Sequence, residues 1–143
     1  MEVAVVGVDG SEAGFRAAAF AARHVRDASA QLVVVYVVPW SPYSVQTPEE
    51  NERRHVTKKQ EVATAWENVL QPLLDRLQAE GTVTEGVVKH GHPAEVLCDI
   101  ARERGASHLV VGRRGQSRVR ALLFGSTPVN LIQMADVPVT VVP

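Results

Sequence analysis

Four short apolar runs and one stretch rich in valine and threonine recur along the chain, separated by amphipathic segments. Continuous apolar runs with many β-branched residues are typical of strands that are buried on both faces of a sheet. The valine- and threonine-rich stretch alternates less cleanly, but its composition also favours a strand. We therefore predict strands at Val3–Val8, Leu32–Val38, Thr82–Lys89, His108–Val111 and Val137–Val142.

The first two segments between these strands carry apolar residues at the three- and four-residue spacing of helices. The first helix follows Ser11, a predicted N-cap. The second starts at about Glu52 and stops before Gly81, and Pro72 inside it predicts a kink or a local break. The predicted core face of the first helix consists of Phe15, Ala18, Ala19, Ala22 and Val25.

Two further helices are predicted in the second half of the chain, from Pro93 and from about Thr127. Residues 39–51 contain three prolines among polar residues, which predicts a loop. The predicted core faces are Val96, Leu97, Ile100 and Ala101 in the earlier helix, and Val129, Leu131 and Ile132 in the later one.

Strands that alternate with helices predict an α/β fold, with helices covering both faces of a parallel sheet in three layers, α/β/α. At 143 residues the chain is expected to form one domain, residues 1–143. Ligands of such sheets bind beyond the carboxyl ends of the strands. The turn at residues 9–11 follows the first strand and residues 112–115 follow the fourth, so these segments are the candidate site.

Charge and composition narrow the classes of partner. The net charge of −1 gives no overall attraction to nucleic acid or to an anionic membrane. Arginines at 113, 114, 118 and 120 make nucleic-acid binding a minor alternative, because acidic residues outnumber lysine and arginine by 16 to 15. The N-terminal apolar run is too short for a signal peptide or a membrane span, and the single Cys98 is expected to be buried. A cytoplasmic protein is therefore expected.

The stretch GRRGQSRVRALLFGST, residues 112–127, combines spaced glycines with a predicted helix start. Gly112 and Gly115 suit a turn whose N–H groups converge on an anion. Gly125, Ser126 and Thr127 precede helical residues, and the free N–H groups of a helix start favour phosphate. The alternative is a plain joint between a strand and a helix, and the residues alone leave both open. Neither the GxxxxGK[ST] nor the GxGxxG pattern occurs.

The spacing of this stretch resembles the G-2x-G-9x-G-[S/T] signature of ATP-binding universal stress proteins. The resemblance covers nearly the whole chain, including VVGVDGSEAGFRAAAFA, LVVVYVVP, VVKHGHPAEVLCDIARERGASHLVVGRRG and VPVTVVP. It implies a five-stranded parallel sheet in the order 3-2-1-4-5, as in the adenine nucleotide alpha hydrolase-like, Rossmann-like folds. It also implies a stress-response homodimer that forms through the last strand, Val137–Val142, with protein partners that stay unknown.

The same resemblance implies a role for each matching residue. Asp9 would lie at the adenosine side of a nucleotide, and the backbone of Val38 would meet the adenine. ATP, with or without Mg²⁺, is the implied ligand. The alternative is a scaffold of the same family that binds AMP, cyclic AMP or no nucleotide and acts through protein partners. Pro128 departs from the family pattern and removes one N–H, which weakens the expectation for a triphosphate. The residues implied around the ribose and phosphates are Gly112, Gly115, Gly125, Ser126 and Thr127.

Catalytic and metal chemistry are less well supported. No GxSxG turn occurs, and Asp9 is the lone acid expected at the crevice, so we expect a binding protein rather than an enzyme. Weak ATP hydrolysis is a third alternative. His90 and His92 form an HxH pair, but no third ligand follows at a suitable spacing, which favours solvated loop histidines over a metal site.

Overall fold

The computed structural model describes residues 1–39, 48–113 and 126–143. Five parallel strands form one sheet in the order β3-β2-β1-β4-β5. This confirms the predicted three-layer α/β fold and its strand order. The strands are β1 Val3–Val8, β2 Gln31–Val38, β3 Val83–His90, β4 His108–Gly112 and β5 Val139–Val142.

Helices cover both faces of the sheet. The second helical segment changes to a π-helix at Trp66–Leu70, directly before the turn that contains Pro72. Proline has no N–H to donate to the preceding turn, so the regular hydrogen-bond ladder is interrupted here. The predicted local break is confirmed. The α-helices are α1 Glu12–Asp27, α2 Pro48–Ala65, α3 Gln71–Ala79, α4 Pro93–Arg104 and α5 Ser126–Met134.

The buried face of α1 is made of small residues, which differs from the prediction. Phe15 and Ala19 were expected in the core but are exposed. Alanines let the helix axis approach the sheet closely, and the large Phe15 ring then has no place between the layers. The buried residues of α1 are Ala13, Gly14, Ala17, Ala18, Ala21, Ala22 and Val25.

The core face of α5 was also predicted incorrectly in part. Leu131 is fully buried, as expected, but Val129 is exposed and Ile132 is 65% exposed. Helix α5 packs mainly against α4, so only a narrow side of it is covered. The predicted face of α4 is confirmed, and Cys98 is buried in it.

Two element boundaries differ from the predictions by two residues or more, and each involves a proline. Strand β5 starts at Val139 rather than at Val137, although the carbonyl of Pro138 still accepts the amide of Leu109 at 2.9 Å. Proline cannot donate to a ladder, so regular pairing starts after it. Helix α2 starts at Pro48 rather than at about Glu52, because proline suits the first helical turn. The predicted loop is therefore shorter, and residues 40–47 lie outside the described residues.

None of the helices in the described ranges is both long enough and apolar enough to cross a membrane.

His108 at the start of β4 is expected to make stability depend on pH. Burial lowers the pKa of this half-buried imidazole, a nearby His24 lowers it further, and the carboxylate of Glu2 opposes both. The unfolded chain then binds more protons than the folded one at acidic pH. The resulting loss of stability begins as the pH falls through the ordinary histidine pKa of about 6.5 and is complete below the lower folded value.

The measurement is urea denaturation at about pH 7.5 and at about pH 5.5. An ordinary histidine is mostly neutral at the first pH and mostly protonated at the second. We expect His108→Gln to lose less stability on acidification than the parent protein, because glutamine cannot be protonated. Equal losses in the two proteins would show that His108 makes no contribution to the pH dependence.

Candidate functional site

The carboxyl ends of β1 and β4 lie side by side at one edge of the sheet. The two strands pair in parallel, with Gly7 opposite Val111. Asp9, in the turn after β1, and Arg113, directly after β4, therefore lie at the same edge of the sheet, as the predicted strand order requires.

A chain of hydrogen bonds fixes Asp9 at this edge. The carboxylate Oδ1 of Asp9 accepts the backbone N–H of Ser11 at 3.0 Å, and the Ser11 hydroxyl also donates to it. The Ser11 Oγ in turn accepts the N–H of Gly14 at 3.2 Å, which confirms Ser11 as the N-cap of α1. Between them, Gly10 has a φ of 85°, a left-handed conformation that glycine adopts without strain. The carboxylate position thus depends on the first turn of α1.

Gly112 allows α1 to lie close to the end of β4. A Cβ added at Gly112 would lie 2.7 Å from the carbonyl oxygen of Ala13 and 2.8 Å from its carbonyl carbon. Glycine is required here for close approach between backbone segments. This close packing explains why a glycine is found at the end of β4. It also places Gly112 beside the turn that carries Asp9.

Arg113 brings a cationic group to the same edge. Its backbone N–H donates to the carbonyl of Val142 at 2.7 Å, which continues the pairing of β4 with β5. Its side-chain Nε is buried and has no hydrogen-bond partner among the residues that the structure describes. A buried donor without an acceptor is costly, and an anionic oxygen would satisfy it. Arg113 is one of the four arginines that made nucleic-acid binding a minor alternative in the sequence.

The end of β2 forms the other side of the site. Val38 is its last residue, and the carbonyl of Val38 accepts the N–H of Gly91 at 3.0 Å. Two residues earlier, burial and then the negative charge of Asp9 raise the pKa of the Tyr36 hydroxyl. Tyr36 is therefore neutral at physiological pH and close enough to Asp9 to sense its charge.

A cavity of about 450 Å³ separates α2 from the end of β2. Tyr36 and Val38 line it on the strand side. Its volume lies in the range of small-molecule sites. Sequence analysis missed this cavity, although polar residues at helical spacing were the available signal. The side chains that α2 and the π-helix contribute include Thr57, Gln60, Glu61, Thr64 and Asn68.

The remaining predicted site residues are placed only in part. Helix α5 starts at Ser126, one residue before the predicted start, with Ser126 exposed and Thr127 half-buried in its first turn. Pro128 is buried in the same turn. Gly115 and Gly125 lie outside the described residues, so the phosphate site that they would complete stays a prediction.

The two histidines of the HxH pair occupy different environments. His90 ends β3 with a side chain that is 13% exposed, and its Nε2 lies 3.2 Å from Glu61 Oε2 on α2. The interpretation of His90 as a solvated loop residue is therefore wrong, because a helix packs over it. His92 is exposed and precedes α4. Within the described ranges, no group of three His, Cys, Asp or Glu residues is placed to hold a metal ion.

The sequence is similar to universal stress proteins over its full length. The profile of the universal stress protein family matches residues 1–143. Universal stress protein Rv1996 of Mycobacterium tuberculosis is 33% identical over 151 aligned positions, which cover 97% of this chain but 47% of that protein. The chain thus spans about half the length of this mycobacterial relative. Universal stress protein YxiE of Bacillus subtilis is 27% identical, and the alignment covers 96% of each chain.

Solved structures show the same fold. Universal stress protein UspA from Lactobacillus plantarum superposes with a TM-score of 0.87 at 22% identity, over 99% of this chain and 97% of that one. A universal stress protein in complex with cAMP superposes with a TM-score of 0.69 at 26% identity, over 99% and 96% of the two chains. The family profile spans the whole chain, and the strand order and the relatives agree with it. The chain belongs to the universal stress protein family.

Proposed function

We propose that the protein binds an adenine nucleotide at the carboxyl edge of its sheet and acts in the cytoplasm as a stress-response module. The observation that carries the proposal is the placement of Asp9 and Arg113 after neighbouring strands. A fixed carboxylate suits the hydroxyl groups of a ribose, and the buried Nε of Arg113 suits a phosphate oxygen. The two groups match the two ends of a nucleotide.

A similar structure supports the class of ligand. The universal stress protein that was solved with cAMP is 26% identical to this chain and shares its fold. ATP is the first candidate here because the spacing of Gly112, Gly115, Gly125 and Ser126 matches the ATP-binding signature. AMP and cyclic AMP are the alternatives, since Pro128 removes one N–H from the start of α5. Mg²⁺ would accompany a triphosphate through its phosphate oxygens.

Binding without turnover is the expected chemistry. Among the described residues at the crevice, Asp9 is the acid, and its Oδ1 already accepts two hydrogen bonds from Ser11. A general base must reach the attacking water and accept its proton. An Asp9 carboxylate committed to the cap of α1 is a poor candidate for that role. Steady release of phosphate over many turnovers, above that of a Gly115→Val variant, would contradict this proposal.

The test of nucleotide binding starts from the protein as purified without added ligand. Mass spectrometry of the supernatant after denaturation identifies any nucleotide that copurifies. Calorimetric titration of the nucleotide-free protein with ATP, AMP and cyclic AMP then ranks the three ligands. We expect near-stoichiometric binding of one of them, with loss of phosphate-dependent affinity in Gly115→Val. Absence of a copurified nucleotide and of binding to all three would overturn the proposal.

We also propose that two copies pair through β5. The carbonyls of Pro138 and Val142 accept the amides of Leu109 and Arg113, so alternation of the backbone points the N–H and C=O of Val141 away from the sheet. Strand β5 lies at the edge of the sheet, and no strand within the described ranges pairs with its outer side, which invites a second strand. A second copy of β5 would satisfy those groups.

Val141→Pro is expected to shift the protein from dimer to monomer in light scattering at micromolar concentration. Proline removes the outward N–H but leaves pairing with β4 intact. Val141→Thr is the matched control, because it keeps the N–H and a β-branched side chain. A monomeric parent protein, or a Val141→Pro variant that stays dimeric, would refute pairing through this edge.

A further inference from the structure

The second helical segment buries an apolar stripe and carries polar residues beside it. Towards its C-terminal end it buries Leu70, Leu73, Leu74 and Leu77 against the sheet. A helix that covers a sheet is ordinarily apolar on the covered side, because the contact is dry. Along α2, four polar residues that are outside this contact line the cavity beside the end of β2: Thr57, Gln60, Glu61 and Thr64. They form a polar side of α2 that faces the cavity rather than the packed core.

The polar side of α2 faces the cavity of about 450 Å³ beside Tyr36 and Val38. Tyr36 connects this cavity to the edge that carries Asp9, because it lines the cavity and pairs with Val8, the residue before Asp9. A ligand whose sugar meets Asp9 could thus extend between α2 and the end of β2. Polar walls around a flat hydrophobic ligand supply orientation and specificity.

Glu61 differs in kind from the other polar groups around the cavity. Threonine hydroxyls and the amides of Gln60 and Asn68 both donate and accept, so they can adapt to either hydrogen-bonding pattern. An ionised carboxylate only accepts. Among the described side chains that line the cavity, Glu61 is therefore the one that discriminates between a donor and an acceptor on the ligand. The Nε2 of His90 lies 3.2 Å from its Oε2 and restricts its position.

We propose that Glu61 selects purines that carry an amino group at position 6 and that His90 is a positioning residue for this carboxylate. The inference rests on the proposed binding of an adenine nucleotide and assigns its base specificity. The 6-amino group of adenine would donate to Glu61, whereas the 6-oxo group of hypoxanthine or guanine would place two acceptors face to face. The Val38 carbonyl already accepts the Gly91 amide. The charged carboxylate of Glu61 therefore provides the stronger discrimination between 6-amino and 6-oxo purines.

The test compares ATP with inosine triphosphate, which differs at position 6 of the base, by calorimetric titration; AMP and IMP form the second pair. We expect the parent protein to prefer the adenine form by about tenfold or more, as for a hydrogen bond to a charged acceptor. Glu61→Gln is expected to reduce that ratio by about tenfold, because an amide both donates and accepts. Glu67→Gln is the matched control, since Glu67 is an exposed residue of the same helical segment and does not line the cavity.

The role of His90 in positioning Glu61 is tested by the ATP-to-ITP affinity ratio rather than by stability. His90→Leu removes the donor to Glu61 and should lower the ATP-to-ITP ratio, whereas His90→Gln keeps a donor and should restore it. Thermal unfolding of both variants shows whether either substitution destabilises the whole protein. ATP binding with an unchanged ratio in Glu61→Gln would overturn this inference and leave the proposed function intact. Absence of binding to all four nucleotides would overturn both.

Discussion

Gly112→Ala is expected to lower the free energy of unfolding by about 1–3 kcal/mol, the usual cost of overpacking a well-packed site. The added Cβ would lie 2.7 Å from the carbonyl oxygen of Ala13, so the first turn of α1 would have to move away from β4. That turn includes the cap that fixes the Asp9 carboxylate through Ser11. We therefore expect weaker nucleotide binding as well as lower stability.

Gly7→Ala is a suitable comparison for the stability effect, because Gly7 lies in the neighbouring strand at the centre of the sheet. Its added Cβ would meet the end of the Leu97 side chain at 2.9 Å rather than backbone. A side-chain end moves at lower cost than a helix backbone, so the smaller loss is expected for Gly7→Ala. Denaturant titration of both variants measures the difference. A Gly112→Ala variant that is as stable as the parent would show that α1 does not depend on this contact.

Asp9→Asn is expected to weaken nucleotide binding by roughly ten- to a hundredfold, the value of a hydrogen bond to a charged group. The amide oxygen of asparagine can still accept the Ser11 N–H, so the turn and the cap of α1 are preserved. The substitution therefore removes the charge with little change in local structure. Calorimetric titration gives the affinity, and thermal unfolding verifies that the fold is intact.

Glu12→Gln separates a specific contact from a general electrostatic effect. Glu12 lies in the same turn region and loses the same charge, but its side chain is 94% exposed. We expect its affinity for the nucleotide to stay close to that of the parent protein, since exposed charges are strongly screened. Equal effects of the two substitutions would refute a direct role for Asp9.

The strands and their order were predictable because each buried strand is a continuous apolar run that differs clearly from the helical segments. Val3–Val8 matches its predicted bounds, and Leu32–Val38 and His108–Val111 match to within one residue at one end. The resemblance of residues 112–127 to a known signature then placed the crevice. Helix faces were less predictable: on α1, Ala13 and Ala17 are buried whereas Phe15 is exposed, because depth depends on how closely the layers pack.

The sequence by itself determined the alternation of strands and helices, the cap at Ser11 and the two segments that meet at the carboxyl edge. These features depend on the type of each residue and on its neighbours in the chain, and both can be read from the amino-acid sequence. Only the tertiary structure decided that Gly112 packs against the backbone of Ala13, that His90 contacts Glu61, and that the polar side of α2 faces a cavity. Such contacts join residues that are distant in the chain, and their geometry depends on the spacing between packed layers, which no local pattern contains.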